Sequence, residues 1–165
     1  MKTQSHLKGL LQPLLAALEI KASELETANS YVFQLARGVT LQIEENPERY
    51  LTLSCALPVA EERKNDIATA WLLLQTNLLG LEHPPILTAA LAEEKMLILW
   101  ARQPFSELDA IPLQRLFDRF IAQAESLAAW LKKPVEEIKK EQSPQQHVYG
   151  DFIQQQLNSR FQQQR

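Results

Sequence analysis

The chain has 165 residues, 45% of them hydrophobic, with a formal net charge of −3 and one cysteine. That is enough for one domain with a modest core, and the scattered Lys and Arg form no basic stripe, which argues against a nucleic-acid surface. The lone Cys55 excludes an intrachain disulfide and fits a reducing compartment, and no run reaches the roughly 18 apolar residues of a membrane span. The N-terminal stretch, broken by Pro13 and ended by Glu19, lacks the features of a signal peptide.

Leu7, Leu10, Leu11, Leu14, Leu15 and Leu18 recur at helical spacing and predict an opening amphipathic helix, with Pro13 either kinking it or marking a late start. Three strands of period two follow, carried by Tyr31, Phe33 and Leu35, by Val39, Leu41 and Ile43, and by Leu51, Leu53, Cys55 and Leu57. Arg37-Gly38 and Asn46-Pro47 supply the turns, short enough for antiparallel hairpins. Residues 61–80 predict a second helix, stopped by Gly80 and by Pro84-Pro85. "ILTAALAEEKMLILWARQ" predicts two more strands hinged at Glu93-Glu94-Lys95; the second, Met96 to Ala101, is apolar on both faces and is expected to be covered on both. A long helix from about Asp109 to Lys132 carries Leu113, Leu116, Phe117, Phe120, Ile121, Ala124, Leu127, Ala128 and Leu131 as its stripe. The expected fold class is α+β, in the order α-β-β-β-α-β-β-α, with helices on an antiparallel five-stranded sheet. After Pro134 the composition changes: residues 141–165 hold nine Gln, which divides the chain into a domain at 1–133 and a Gln-rich, mobile or weakly helical tail at 134–165.

Catalytic and metal-binding patterns are missing. His6, His83 and His147 have no ligand-type neighbours at metal spacing. The four glycines are unclustered, which excludes a phosphate-cradling loop, and there is no G-x-S-x-G. Cys55 shares a strand face with Leu51 and Leu53 and reads as core. The pairs Glu44-Glu45, Glu61-Glu62 and Glu93-Glu94 fall at turns or helix starts, where solvation and helix polarity account for them. No cofactor, no metal and no enzymatic activity are expected.

Apolar surface, by contrast, is in surplus. The second helix has one stripe of Ile67, Ala70, Trp71, Leu74 and Leu78, and another of Ala68, Leu72 and Leu79 with Thr69, Leu73 and Thr76 beside it. If the first packs on the sheet, Trp71, Leu74 and Leu78 join Phe117 and Phe120 in the core. The second is then covered either by a neighbouring element or by a second copy of the chain. Tyr31, Val32 and Phe33 put bulk on both faces of the first strand. The edges of an open sheet can take up an extended peptide by strand addition, though ordinary core and edge protection would use the same residues.

"LTLSCALPV" followed by a helix ending "LLLQTNLLG", then "PPILTAALAEEKMLILWARQP" and "LQRLFDRFIAQAESLAAWLKK", resembles in joint order the class I type III secretion chaperones, the Tir-chaperone (CesT-like) family, over about residues 5–133. The approach "ELETANS" lacks the acidic-glycine turn often seen ahead of the first strand, and the Gln-rich tail is an extension. The resemblance implies a homodimer in the bacterial cytoplasm, with no nucleotide and no membrane insertion. Such a protein binds the N-terminal segment of one or more secreted effectors, keeps it secretion-competent and presents it to the secretion apparatus and its ATPase. It assigns the dimer interface to Ala68, Leu72, Leu73, Thr76 and Leu79, and cargo binding to Leu7, Leu11, Leu14, Tyr31, Phe33 and Leu35. The alternative is a non-catalytic cytoplasmic adaptor or regulator of the same fold that binds a folded partner.

Overall fold

The period-two segments pair as consecutive antiparallel hairpins. The computed structural model describes residues 6–17, 26, 28–35, 38–79, 82–91 and 93–133. Helix α1 (His6–Ala17) precedes a meander of β1 (Ser30–Gln34), β2 (Thr40–Glu45) and β3 (Tyr50–Pro58). Helix α2 (Ile67–Leu79), the hairpin β4 (Leu87–Leu91) and β5 (Met96–Pro104), and helix α3 (Ala110–Lys132) follow. The five strands form one antiparallel sheet in the order β1-β2-β3-β5-β4. This is the α+β architecture expected from the sequence. Gly38 makes the β1–β2 turn with φ of 75°, a left-handed conformation that costs glycine little. The Gln-rich tail at 134–165 lies outside the described residues.

One sheet face carries the core. Leu41 pairs with Cys55, Cys55 with Leu99 and Leu99 with Thr88, so one rung of the register crosses four strands. On that face Ile43, Leu51, Leu53, Leu57, Leu97 and Ala101 are also buried. They are covered by Leu7, Leu11, Leu14 and Leu15 of α1 and by Leu113, Leu116, Phe117, Phe120, Ala124, Ala128 and Leu131 of α3. Each helical set recurs at three- and four-residue steps, so each helix buries a single stripe. Helix α3 packs on β3, and α1 packs on both α3 and β2. Pro13 lies inside α1 and is exposed, so the helix runs through it rather than starting late.

Three sequence expectations need correction. The second helix does not begin at residue 61: Glu61–Arg63 form a single 3-10 turn and α2 starts at Ile67. Among the described residues strand β5 is fully covered on one face, with Leu97, Leu99 and Ala101 buried, while Met96, Ile98 and Trp100 on the other are half-buried. Finally, Trp71, Leu74 and Leu78 are not core; with Ile67 they are 58–75% exposed, because α2 lies against the edge strand β4 with its other side inward. Phe117 and Phe120 are core as expected.

Phe120→Ala should lower stability by about 3–5 kcal/mol through the cavity it leaves, whereas Ile111→Ala, at an exposed position, should change it by no more than about 0.5 kcal/mol. Urea unfolding at one fixed protein concentration distinguishes them. Burial pushes the Cys55 thiol from its ordinary 9.0 up to about 11, a backbone hydrogen bond to Leu99 opposing in part. Folding therefore favours the neutral thiol, and this contribution is complete below pH 9.0 and is lost as pH rises towards 11. Below its ordinary value the native chain should carry about 100-fold less Cys55 thiolate than the unfolded chain, and iodoacetamide should label it slower by at least that factor. Equal labelling rates would contradict the buried placement.

Candidate protein-binding surfaces

Both ends of α2 are fastened by polar contacts. At its start Asp66 is the N-cap: its Oδ2 accepts from the Thr69 backbone N–H at 3.0 Å and from the Thr69 hydroxyl at 2.6 Å. Arg63, 3% exposed, donates to Thr69 Oγ1 at 3.4 Å and lays its guanidinium 4.2 Å from the Trp130 ring centroid. Burial lowers the pKa of Arg63, and Asp66 and Glu62 oppose that shift. The start of α2 is thereby tied to the last turns of α3.

Near its other end, α2 meets the free edge of the sheet. Asn77 Nδ2 donates to the Thr88 carbonyl at 3.2 Å, and the Thr88 backbone N–H donates to Asn77 Oδ1 at 2.7 Å. The two backbone partners fix the orientation of the carboxamide, since only its oxygen can accept from an N–H. The Thr88 hydroxyl lies 2.9 Å from Asn77 Oδ1 and 3.2 Å from the Leu73 carbonyl and can donate to either. Thr76 returns its own hydroxyl to the Leu73 carbonyl at 2.7 Å.

The inward line of α2 is therefore Thr69, Leu73 and Asn77, and the outward line is Ile67, Trp71, Leu74 and Leu78. Burying a polar group is costly without a partner and acceptable with one. Here every inward polar group has one, so the less apolar side of the helix can face the protein and the more apolar side is left in solvent. Of the residues assigned from sequence to a dimer contact, Ala68 is exposed and Leu72, Leu73 and Thr76 are half-buried. The side chain of Leu79 lies outside the described residues. The signal for the observed orientation was the spacing of Thr69 and Asn77, two polar residues eight apart on one helix face.

The opposite edge of the sheet is β1. Flanking it, the Leu35 N–H donates to the Val39 carbonyl at 2.7 Å and the Glu45 N–H donates to the Asn29 carbonyl at 2.8 Å. By antiparallel alternation Tyr31 and Phe33 turn their backbone groups to β2, and Ser30, Val32 and Gln34 turn theirs outward. Among the described residues no strand pairs with that outer side. Of the residues assigned from sequence to cargo, Leu7, Leu11, Leu14 and Tyr31 are buried in the chain's own core, and Phe33 and Leu35 are half-buried against it. The Tyr31 hydroxyl donates to the Glu26 carbonyl at 2.9 Å. Val32, 63% exposed, was not assigned from sequence; its signal was a bulky residue at the polar parity of the strand.

The outer sheet face adds Met96, Ile98 and Trp100 of β5 and Leu91 of β4, all partly exposed. There Arg102 lies 5.7 Å from the Trp100 ring centroid and donates from Nε to Thr52 Oγ1 at 3.0 Å. Among the described residues no three His, Cys, Asp or Glu side chains converge on a common point, and no helix is long and apolar enough to cross a membrane. Among the described residues the molecule offers exposed apolar surface and an open strand edge at β1.

Comparison with curated protein sequences finds no match. Among solved structures, the chain is similar to the ExoT–SpcS complex of Pseudomonas aeruginosa, with 17% identity, a TM-score of 0.58 and coverage of 76% of this chain and 98% of that one. It is similar to the HopA1–SchA chaperone–effector complex at 15% identity and TM-score 0.62, covering 78% and 98%. It is similar also to the Yersinia pestis type III secretion chaperone SycH at 13% identity and TM-score 0.59, covering 73% and 98%. At these identities the likeness concerns the fold. The family model described as Tir chaperone protein (CesT) matches residues 9–128, most of the chain's 165 residues and all of its sheet, and the chain belongs to that family.

Proposed function

We propose that the chain is a homodimeric, non-catalytic type III secretion chaperone of the bacterial cytoplasm. It binds the N-terminal segment of one or more effector proteins, keeps that segment secretion-competent and presents it to the secretion apparatus and its ATPase. Family membership supports the chaperone reading, and HopA1–SchA is a chaperone–effector complex of the same fold. The observation that carries the reading is the pairing of two surfaces on one small domain: an apolar helix face for a second copy and an open strand edge for an extended segment. We place both on the domain at 1–133.

The outward residues of α2 step by four, three and four, the spacing of a coiled-coil seam. Fully burying each such side chain contributes about 1.5–3 kcal/mol. Four from each of two copies, already partly covered, still reach the range of the roughly 4–15 kcal/mol cost of association. A two-fold helix–helix contact through Ile67, Trp71, Leu74 and Leu78, with Ala68 beside them, removes this surface from water. The half-buried Leu72, Leu73 and Thr76 lie away from that contact, towards the chain's own sheet.

For cargo, the segment lies along β1, bonded to the outward backbone of Ser30, Val32 and Gln34 while its side chains meet Val32, Phe33 and Leu35. An unfolded segment loses ordering entropy on binding, so a long extended contact is needed to offset it. Beneath it, Leu7, Leu11, Leu14 and Tyr31 form the rigid floor.

Leu74→Glu should convert the protein to a folded monomer of 18.9 kDa by sedimentation; a dimer of unchanged affinity would remove α2 as the interface. Val32→Pro deletes an outward N–H that β2 does not use. It should weaken binding of an effector's N-terminal segment at least about tenfold, the loss of roughly one charge-free hydrogen bond plus strain, with little change in melting temperature. The function itself is tested by capturing secreted proteins of the source bacterium on the tagged chain. An isolated N-terminal segment should bind as tightly as the whole effector; binding only to a native folded protein would contradict the reading.

A further inference from the structure

An open sheet has two edges, and this molecule treats them differently. On β1, three residues present backbone with no strand partner among the described residues. On β4, Thr88 sends its N–H and C=O away from β5, so the ladder bonds to β5 fall on its neighbours, and the outward residues of this five-residue strand are Thr88 and Ala90. Thr88 is taken. The carboxamide of Asn77 is the side-chain counterpart of a peptide unit, and it offers the donor and acceptor that the next strand would offer. Helix α2 also packs against β4, in the space where a further strand would lie about 4.8 Å away.

We propose that Asn77 is a specificity-determining residue that closes the β4 edge, so that strand addition is confined to β1. The contact has two effects from one side chain. It removes half of the outward pairs of β4, leaving Ala90 alone, too little to register a strand. It also holds α2 with its apolar line outward, which keeps the helix from rolling that line onto β4. The β1 edge has no such device among the described residues. The identity of the strand that adds rests on the chaperone reading; the closure of β4 does not.

The test compares the wild type with Asn77→Leu, similar in size without the amide, and Asn77→Asp, which keeps the acceptor for the Thr88 N–H. Amide exchange reads the closure directly. In the wild type Thr88 should be protected. In Asn77→Leu it should exchange at least about tenfold faster, since its partner is gone, and Asn77→Asp should retain most of the protection. Strand addition is read with a spin-labelled synthetic peptide of alternating valine and threonine flanked by lysines. In the wild type it should broaden the amide resonances of Ser30, Val32 and Gln34 only; in Asn77→Leu it should also broaden Thr88 and Ala90. Broadening at Thr88 in the wild type, or Thr88 protection unchanged in Asn77→Leu, overturns the proposal. If Asn77→Leu does not fold, Asn77→Asp and wild-type exchange decide it. If the peptide binds neither edge, strand addition at β1 fails as a cargo mode, and the exchange result still decides whether Asn77 closes β4.

Discussion

Backbone N–H and C=O groups at the edge of a sheet need partners, and the way Thr88 obtains them sets the orientation of α2. Its two groups are met by one carboxamide, Asn77. A helix held by that contact must present its Asn77 line to the strand. With Thr69 eight residues earlier on the same line, bonded to Asp66 and Arg63, the inward side of α2 is decided by hydrogen bonds rather than by hydrophobicity. The apolar line then faces solvent because it is the side left over. An exposed stripe of Ile, Trp and two Leu on a small domain marks an interaction surface.

The strands were legible because a period of two leaves little choice of face. Tyr31, Leu41, Ile43, Leu51, Leu53 and Cys55 sit on the core side as their alternation requires. The α3 stripe was legible for the same reason at the helical period, and Phe117 and Phe120 are buried. Helix α2 was not, because its two candidate stripes are both apolar enough to bury. Periodicity alone ranks them by hydrophobicity, and that ranking puts Trp71, Leu74 and Leu78 inside. The partners that reverse it, Thr88 and Arg63, lie eleven residues away in sequence from Asn77 and six from Thr69, in segments whose approach to α2 is a tertiary fact. The start of the helix was missed for a related reason: Glu61–Arg63 has helical composition, but Asp66 caps a helix that begins after it.

The candidate surfaces were partly legible. Sequence pointed to α2 and to the first strand, and both carry surface that the described residues do not cover. It did not separate the residues that line a surface from those that support it from beneath. Leu7, Leu11 and Leu14 belong to the support. The fold thus divides its apolar residues in three: a core between α1, α3 and one sheet face, a seam on α2, and a strip along β1. Only the first stabilises the isolated subunit. The other two are the surfaces we propose for a second copy and for an extended segment.

The central claim is that the outward line of α2 is the surface a second copy covers. It is tested most directly by 19F NMR of the 5-fluorotryptophan-labelled wild type, alongside sedimentation over the same concentrations. Of Trp71, Trp100 and Trp130, only Trp71 should lose its water–deuterium solvent shift as the mass rises from 18.9 kDa to twice that value. A doubled mass with Trp71 still in water, or a mass that never doubles, would contradict the account.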